Sequence, residues 1–147
     1  QQHESIVKCL KGAATTAEKE KVTLVLEPLN ILVDHKGYYL SSSSEGFDIV
    51  KEVGSPNVKL LYDVYHQQIT EGNLISTITK NIDLIGHFHT GDVPGRHEPG
   101  TGEINYANVL KAINGTGYGG YVGLEFMPTK DPKQSLKSII DIAKGMD

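Results

Sequence analysis

Glu27, Asp63, His89 and Glu125 each stand at the end of a short apolar run: Val22 to Pro28, Val58 to Val64, Leu84 to His89 and Gly120 to Phe126. Three carboxylates and an imidazole form the donor set of a divalent cation that prefers oxygen. Mg²⁺ and Mn²⁺ suit it, and the imidazole shifts some weight to Mn²⁺ or Co²⁺. A single carboxylate after a strand is usually a helix cap or an ion-pair partner. Four such residues in succession, with neighbours as apolar as Leu26, Tyr62, Val64, Leu124 and Phe126, favour a shared cation, because a buried anion without a partner is costly. The competing arrangement has Arg96 and nearby lysines neutralising the acids.

Other polar residues cluster near these four. His66 lies just past Asp63, where it either caps the next helix or bonds a substrate hydroxyl. His87 and His89 flank Phe88; one of the two is expected to face the pocket and the other the helix layer. Arg96 sits in the loop Thr90 to Ile104, which is punctuated by glycine and proline. It suits a substrate carboxylate or phosphate, or is a solvated loop charge. His3, Glu4 and His35 have no comparable setting. Dinucleotide-binding, Walker and Gly-x-Ser-x-Gly patterns are absent from the sequence.

The elements that must position these residues can be read from periodicity. Spacing of three and four among Ile6, Val7, Leu10, Ala13, Ala14 and Ala17 predicts a helix from about Glu4 to Glu20, weakened by Gly12. A capping-box pair, Ser42 and Glu45, opens a helix that runs to Gly54. After the second strand comes a weaker helix through Leu74, Ile75 and Ile78 to about Asn81. Asn105 caps a helix through Ile113 that Gly115 or Gly117 closes, and Asp131-Pro132 opens a last one carrying Leu136, Ile139, Ile140 and Ala143 on one side. The order is a helix followed by four βα units. Successive members of the polar set lie 36, 26 and 36 residues apart, room enough for a βα unit with a right-handed crossover. Four units make half of a (β/α)8 barrel or a small doubly wound sheet. The half-barrel is preferred, because it gathers the carboxyl ends of neighbouring strands around one pocket.

At 147 residues with net charge -4, the chain fits one domain spanning 1–147. A nucleic-acid surface is disfavoured. No run approaches membrane-spanning length. The lone Cys9 excludes an internal disulfide framework and is expected to be a packing residue in a cytoplasmic protein. The start without Met suggests that residues precede it.

Leu-Glu-Pro-Leu-Asn30, Tyr-Asp-Val-Tyr-His66, the stretch from Gly86 through Pro-Gly-Arg-His-Glu-Pro-Gly-Thr-Gly-Glu to Tyr106, and Gly-Leu-Glu-Phe126 resemble the hydroxypyruvate isomerase branch of the xylose isomerase-like TIM barrels. The resemblance spans nearly the whole chain and covers the C-terminal half of that fold. It implies that Glu27, Asp63, His89 and Glu125 are metal ligands. His89 resembles the sugar epimerases, whereas the Pro-Gly-Arg-His-Glu-Pro-Gly loop resembles hydroxypyruvate isomerase. The implied function is a metal-dependent isomerase or epimerase of small hydroxy-carbonyl compounds. Glu27 and Glu125 then form the acid/base pair, and His66 and Arg96 steady substrate oxygens. Two readings compete with it. One is an endonuclease IV-like phosphodiesterase, for which Gly95-Arg96-His97 lacks an expected ligand. The other is a catalytically silent half-barrel that associates with itself or with a missing N-terminal half.

Overall fold

A computed structural model describes residues 1–145 of the chain. Helix α1 (Gln2–Glu20) precedes a four-stranded parallel sheet of β1 (Leu24–Leu26), β2 (Val58–Asp63), β3 (Ile85–Thr90) and β4 (Val122–Leu124), in the order β1-β2-β3-β4. Helices α2 (Ser43–Val53), α3 (Val64–Thr70), α4 (Leu74–Lys80), α5 (Tyr106–Gly115) and α6 (Pro132–Lys144) occupy the connections and the end of the chain. The α/β architecture with about four βα units is the expected one. The expected helix through Leu74, Ile75 and Ile78 is α4; ahead of it stands a helix that was not expected, α3, separated from α4 by Gly72 and Asn73, which both adopt positive φ.

Local signals in the sequence account for the helix starts. Ser42, Asn105 and Asp131 each accept a backbone N–H at the N-terminus of α2, α5 and α6. The capping box at Ser42 is only half formed, since Glu45 Oε1 instead pairs with His3 at 2.6 Å and accepts from Tyr39 at 2.6 Å. His3, which had no assigned context, also meets Glu52 at 2.9 Å.

The core lies between the helices and one face of the sheet. Val58, Leu60, Tyr62 and Phe88 are completely buried there with Phe47, Val50, Val109 and Ile113 around them. Parallel pairing sets Asp63 beside His89, and His89 beside Gly123. Beyond the pairs at the sheet's centre, both outer strands leave apolar residues exposed: Val22 and Val25 at the β1 side, Leu124, Leu136 and Ile140 at the β4 side. On the expected apolar side of α6, Ile139 is buried and Ala143 half-buried, while Leu136 and Ile140 are exposed. Cys9 is exposed and is not the packing residue expected, because the buried stripe of α1 runs through Val7, Ala14 and Ala17. Among the described residues, no helix is long and apolar enough to cross a membrane.

Candidate metal centre

All four residues come to the same end of the sheet. Glu27 follows the last residue of β1, Asp63 ends β2, His89 is next to last in β3, and Glu125 follows β4. One donor atom from each lies within 4.8 Å of every other. Metal–oxygen and metal–imidazole bonds of about 2.1 Å span at most about 4.2 Å across an ion. The four donors are therefore gathered on the scale of one ion's coordination sphere, with small side-chain movements needed to close on an ion. Burial is graded: the side chains of Asp63, His89, Glu27 and Glu125 are 1%, 21%, 27% and 52% exposed. Glu125 is open because β4 is an outer strand, so its apolar neighbours do not enclose it as expected.

The electrostatics suit a cation. Burial, reinforced by the charges of Asp63 and Glu125, pushes the Glu27 carboxyl up to about 7. Burial also raises the Asp63 carboxyl, against the pull of Arg96. Among the described residues, Glu27 Oε1 and His89 Nδ1 are buried without a hydrogen-bond partner. His89 Nδ1 is only 2.8 Å from Glu125 Oε2, without the alignment of a hydrogen bond. Unpartnered buried donors of this type, converging with two further carboxylates, fit a divalent ion.

Arg96 already answers part of this charge. Its Nη2 donates to Asp63 Oδ2 and to Glu125 Oε2, both at 2.7 Å, while Nε reaches the carbonyl of Glu125 at 3.3 Å. Its guanidinium lies 4.8 Å from the Tyr65 ring centroid. Among the described residues, no lysine joins it on the four. The arginine half of the competing arrangement is thus present and the lysine half is not. The Arg96 backbone takes a left-handed φ of 55°, uncommon for a side-chain-bearing residue. Met127 N–H bonds its carbonyl at 2.7 Å and helps hold that conformation.

His66 is buried, and its neutral form is favoured: burial and then the Arg96 charge bring its imidazole down to about 4. It lies 3.7 Å from Asp63 Oδ2 and 3.2 Å from Arg96 Nη1. His35 gains a context not foreseen for it, packing edge-on against His66 with ring centroids 5.2 Å apart. The expectation that His87 and His89 face opposite ways is corrected. Residues two apart on a strand share a face, and their rings meet edge-to-face at 5.0 Å. A Cβ at Gly123 would sit 2.8 Å from His89 and 2.9 Å from His87, so glycine on β4 makes room for both.

Several residues that shape the site gave little warning in the sequence. Asp92 is fully buried and accepts five backbone N–H groups, from Val93, Gly100, Thr101, Gly102 and Ile104. It thereby folds the Arg96 loop around itself. The signal available was an aspartate ahead of a glycine-rich stretch, a turn-forming combination. Glu98 fastens the same loop to the segment after β4, accepting from Thr129 N–H, Thr129 Oγ1 and Ser135 Oγ at 2.9, 2.8 and 3.0 Å. Those bonds, the Thr129 N–H first, hold its carboxyl down at about 2. His97 turns from the centre and contacts the Met127 carbonyl at 2.8 Å.

Residues 1–143 match the family described as the xylose isomerase-like TIM barrel. The chain belongs to that family. Among curated relatives of this TIM-barrel chain, hydroxypyruvate isomerase of Escherichia coli (strain K12) is 39% identical over 135 residues, covering 92% of the chain and 52% of the relative. A 2-oxo-tetronate isomerase of Cupriavidus necator is 40% identical over 119 residues, covering 81% and 45%. Among solved structures, an AP endonuclease, family 2, from Brucella melitensis superposes with a TM-score of 0.90 at 32% identity, covering 95% of the chain and 54% of its own. D-psicose 3-epimerase with D-tagatose, from Clostridium cellulolyticum H10, gives 0.81 at 27%, covering 95% and 54%. The chain spans about half the length of the relatives it matches.

Proposed function

We propose that this chain supplies the C-terminal half of a TIM-barrel isomerase or epimerase that depends on a divalent metal and acts on small hydroxy-carbonyl compounds, of the hydroxypyruvate/tartronate semialdehyde or ketose type. The observation that carries this reading is the convergence of Glu27, Asp63, His89 and Glu125 donor atoms at the carboxyl ends of four neighbouring parallel strands. The names of the relatives, two isomerases and an epimerase, support it.

Such a reaction removes a proton from the carbon beside a carbonyl and, through an enediolate, returns it either to the neighbouring carbon, which isomerises, or to the opposite face of the same carbon, which epimerises. Glu27, Asp63, His89 and Glu125 would hold Mn²⁺ or Mg²⁺, with Co²⁺ also compatible; the ion would supply electrophilic stabilisation of the substrate oxygens. Glu27 and Glu125 carry the proton. The value of about 7 for the Glu27 carboxyl belongs to the metal-free site, and a bound cation would lower it toward the carboxylate form that accepts a proton. His66 and Arg96 hold substrate oxygens, Arg96 with a donor fork suited to a carboxylate.

The test restores the upstream half and measures Mn²⁺- or Mg²⁺-stimulated interconversion of hydroxypyruvate and tartronate semialdehyde, with ketoses as second substrates. Glu125→Gln is expected to lower kcat by about 10²–10⁴-fold; a loss below tenfold would remove it from the proton-transfer pair. The AP-endonuclease neighbour raises a phosphodiesterase reading. Against it, His97 is held by Met127 and Glu98 by Thr129 and Ser135, so neither extends the metal set. Cleavage of abasic-site DNA by the restored protein would reverse that judgement.

A further inference from the structure

Asn30 is fully buried in the turn after β1, and its amide has one acceptable orientation. Oδ1 accepts from the N–H groups of Val33 and Asp34 at 3.0 and 3.2 Å, while Nδ2 donates to Asp34 Oδ2 at 2.8 Å. A flipped amide would set NH₂ against two N–H donors and its oxygen against a carboxylate. The second Nδ2 hydrogen therefore meets His66 Nδ1, 2.7 Å away, and the Asn30 backbone N–H reaches the same nitrogen at 3.3 Å. Two donors aimed at Nδ1 leave no space for a hydrogen on it. The imidazole carries its hydrogen on Nε2.

This tautomer changes the meaning of the contact between His66 and Arg96. Nε2–H and Arg96 Nη1–H are both donors, 3.2 Å apart, and cannot bond each other. Asp63 Oδ2, at 3.7 Å from Nε2, is beyond hydrogen-bond reach. An oxygen placed between the two nitrogens would satisfy both. We propose that Asn30 is a positioning residue that locks His66 in the Nε2–H form, so that His66 and Arg96 present a matched pair of donors to one substrate oxygen. The inference rests on the reading that His66 and Arg96 face the substrate. Asp34 steadies the device from behind, because its Oδ2 also accepts from Tyr65 Oη at 2.8 Å and so ties the Asn30 turn to the helix that carries His66.

The deciding measurement is long-range ¹H–¹⁵N correlation on the metal-free protein with its upstream half restored, histidine-labelled with ¹⁵N, near neutral pH. His66 is assigned by difference against His66→Gln. A pyrrole-type nitrogen at Nε2 and a pyridine-type nitrogen at Nδ1 are expected. Hydrogen on Nδ1, or on both nitrogens, overturns the proposal. Asn30→Asp, which replaces the donor with an acceptor, is expected to move the hydrogen to Nδ1 and to lower kcat by about 10–100-fold, the usual cost of losing an orienting partner. An unchanged tautomer in a folded Asn30→Asp protein also overturns it. Should that variant fail to fold, the spectrum of the unsubstituted protein still decides. The spectrum does not depend on turnover. An inactive protein with Nε2–H defeats the isomerase reading alone, and an active one with Nδ1–H defeats this inference alone.

Discussion

Arg96 Nη2 lies 2.7 Å from the almost fully buried Asp63 Oδ2, so one of the four candidate ligands already has a cation of the protein's own. An incoming divalent ion must share that carboxylate with the guanidinium or displace it. Arg96→Met is therefore expected to bind Mn²⁺ about tenfold more tightly in calorimetric titration. That is about 1.4 kcal/mol, below the ~4 kcal/mol scale of one close pair at an effective dielectric of 20. Unchanged or weaker binding would mean that Arg96 and the ion do not compete. The same variant, without metal, is expected to unfold at lower urea by about 3 kcal/mol, since it strands a buried carboxylate.

The elevated Glu27 carboxyl gives the metal-free protein a pH signature. A carboxyl held at about 7 when folded, against an ordinary 4.5, binds its proton more tightly in the folded state. Its favourable contribution is complete below about pH 4.5 and is lost as pH rises toward 7. Partial exposure of the side chain reduces the effect to about 1 kcal/mol. Urea midpoints across this window are expected to fall with rising pH, and Glu27→Gln to flatten the slope. Mn²⁺ affinity is expected to run the opposite way and rise with pH, because the ion needs the carboxylate. A metal-free stability that rises from pH 4.5 to 7 and is insensitive to Glu27→Gln would contradict the assignment.

Asp92 should be among the least replaceable residues of the loop. Asp92→Asn keeps the shape but turns an NH₂ group toward N–H donors that an oxygen now serves, whichever way the amide is placed. A loss of about 2 kcal/mol or more in urea unfolding is expected. Weakened Mn²⁺ binding should accompany it, as the loop sits against Glu125 through Arg96. Gly102→Ala offers a second probe, since its Cβ would fall 2.7 Å from Asp92 Oδ1 and collide with the Val93 carbonyl. Stability within about 0.5 kcal/mol for both variants would deny the loop this anchor.

The two sides of the sheet carry exposed Val22, Val25, Leu124, Leu136 and Ile140. Expressed as these 147 residues alone, the chain is expected to self-associate at micromolar concentration, because unpaired strand edges beside apolar faces bind one another. Light scattering that gives a monomer mass across that range would show that these surfaces are tolerated in water. Addition of the upstream half as a separate chain is expected to compete with self-association.

Local chemistry made most of the fold legible. Ser42, Asn105 and Asp131 announced their helices, and the apolar runs located four strands within one or two residues. The four strand-end residues were legible for the same reason, because each is defined by its own run. What escaped was non-local or depended on a single backbone turn. Helix α3, which starts directly after Asp63 and stops before Gly72 and Asn73, was not expected ahead of the helix through Leu74. Asn30 and Asp92 matter through partners that the turns bring to them. Cys9 reads as apolar from its type, yet it lies off the buried stripe of α1. The opposite-facing assignment of His87 and His89 failed on strand geometry itself, since a step of two preserves the face.

The strand order β1-β2-β3-β4 follows the chain, and each strand delivers one member of the polar cluster. No three of the four βα units contain the whole set. During synthesis the cluster would stay incomplete until the last strand emerges and docks beside β3. An ion that needs all four donors would bind only chains that have finished the sheet, pulling the folding equilibrium toward the finished form. Metal uptake, followed in time, would then be a clock for the arrival of β4.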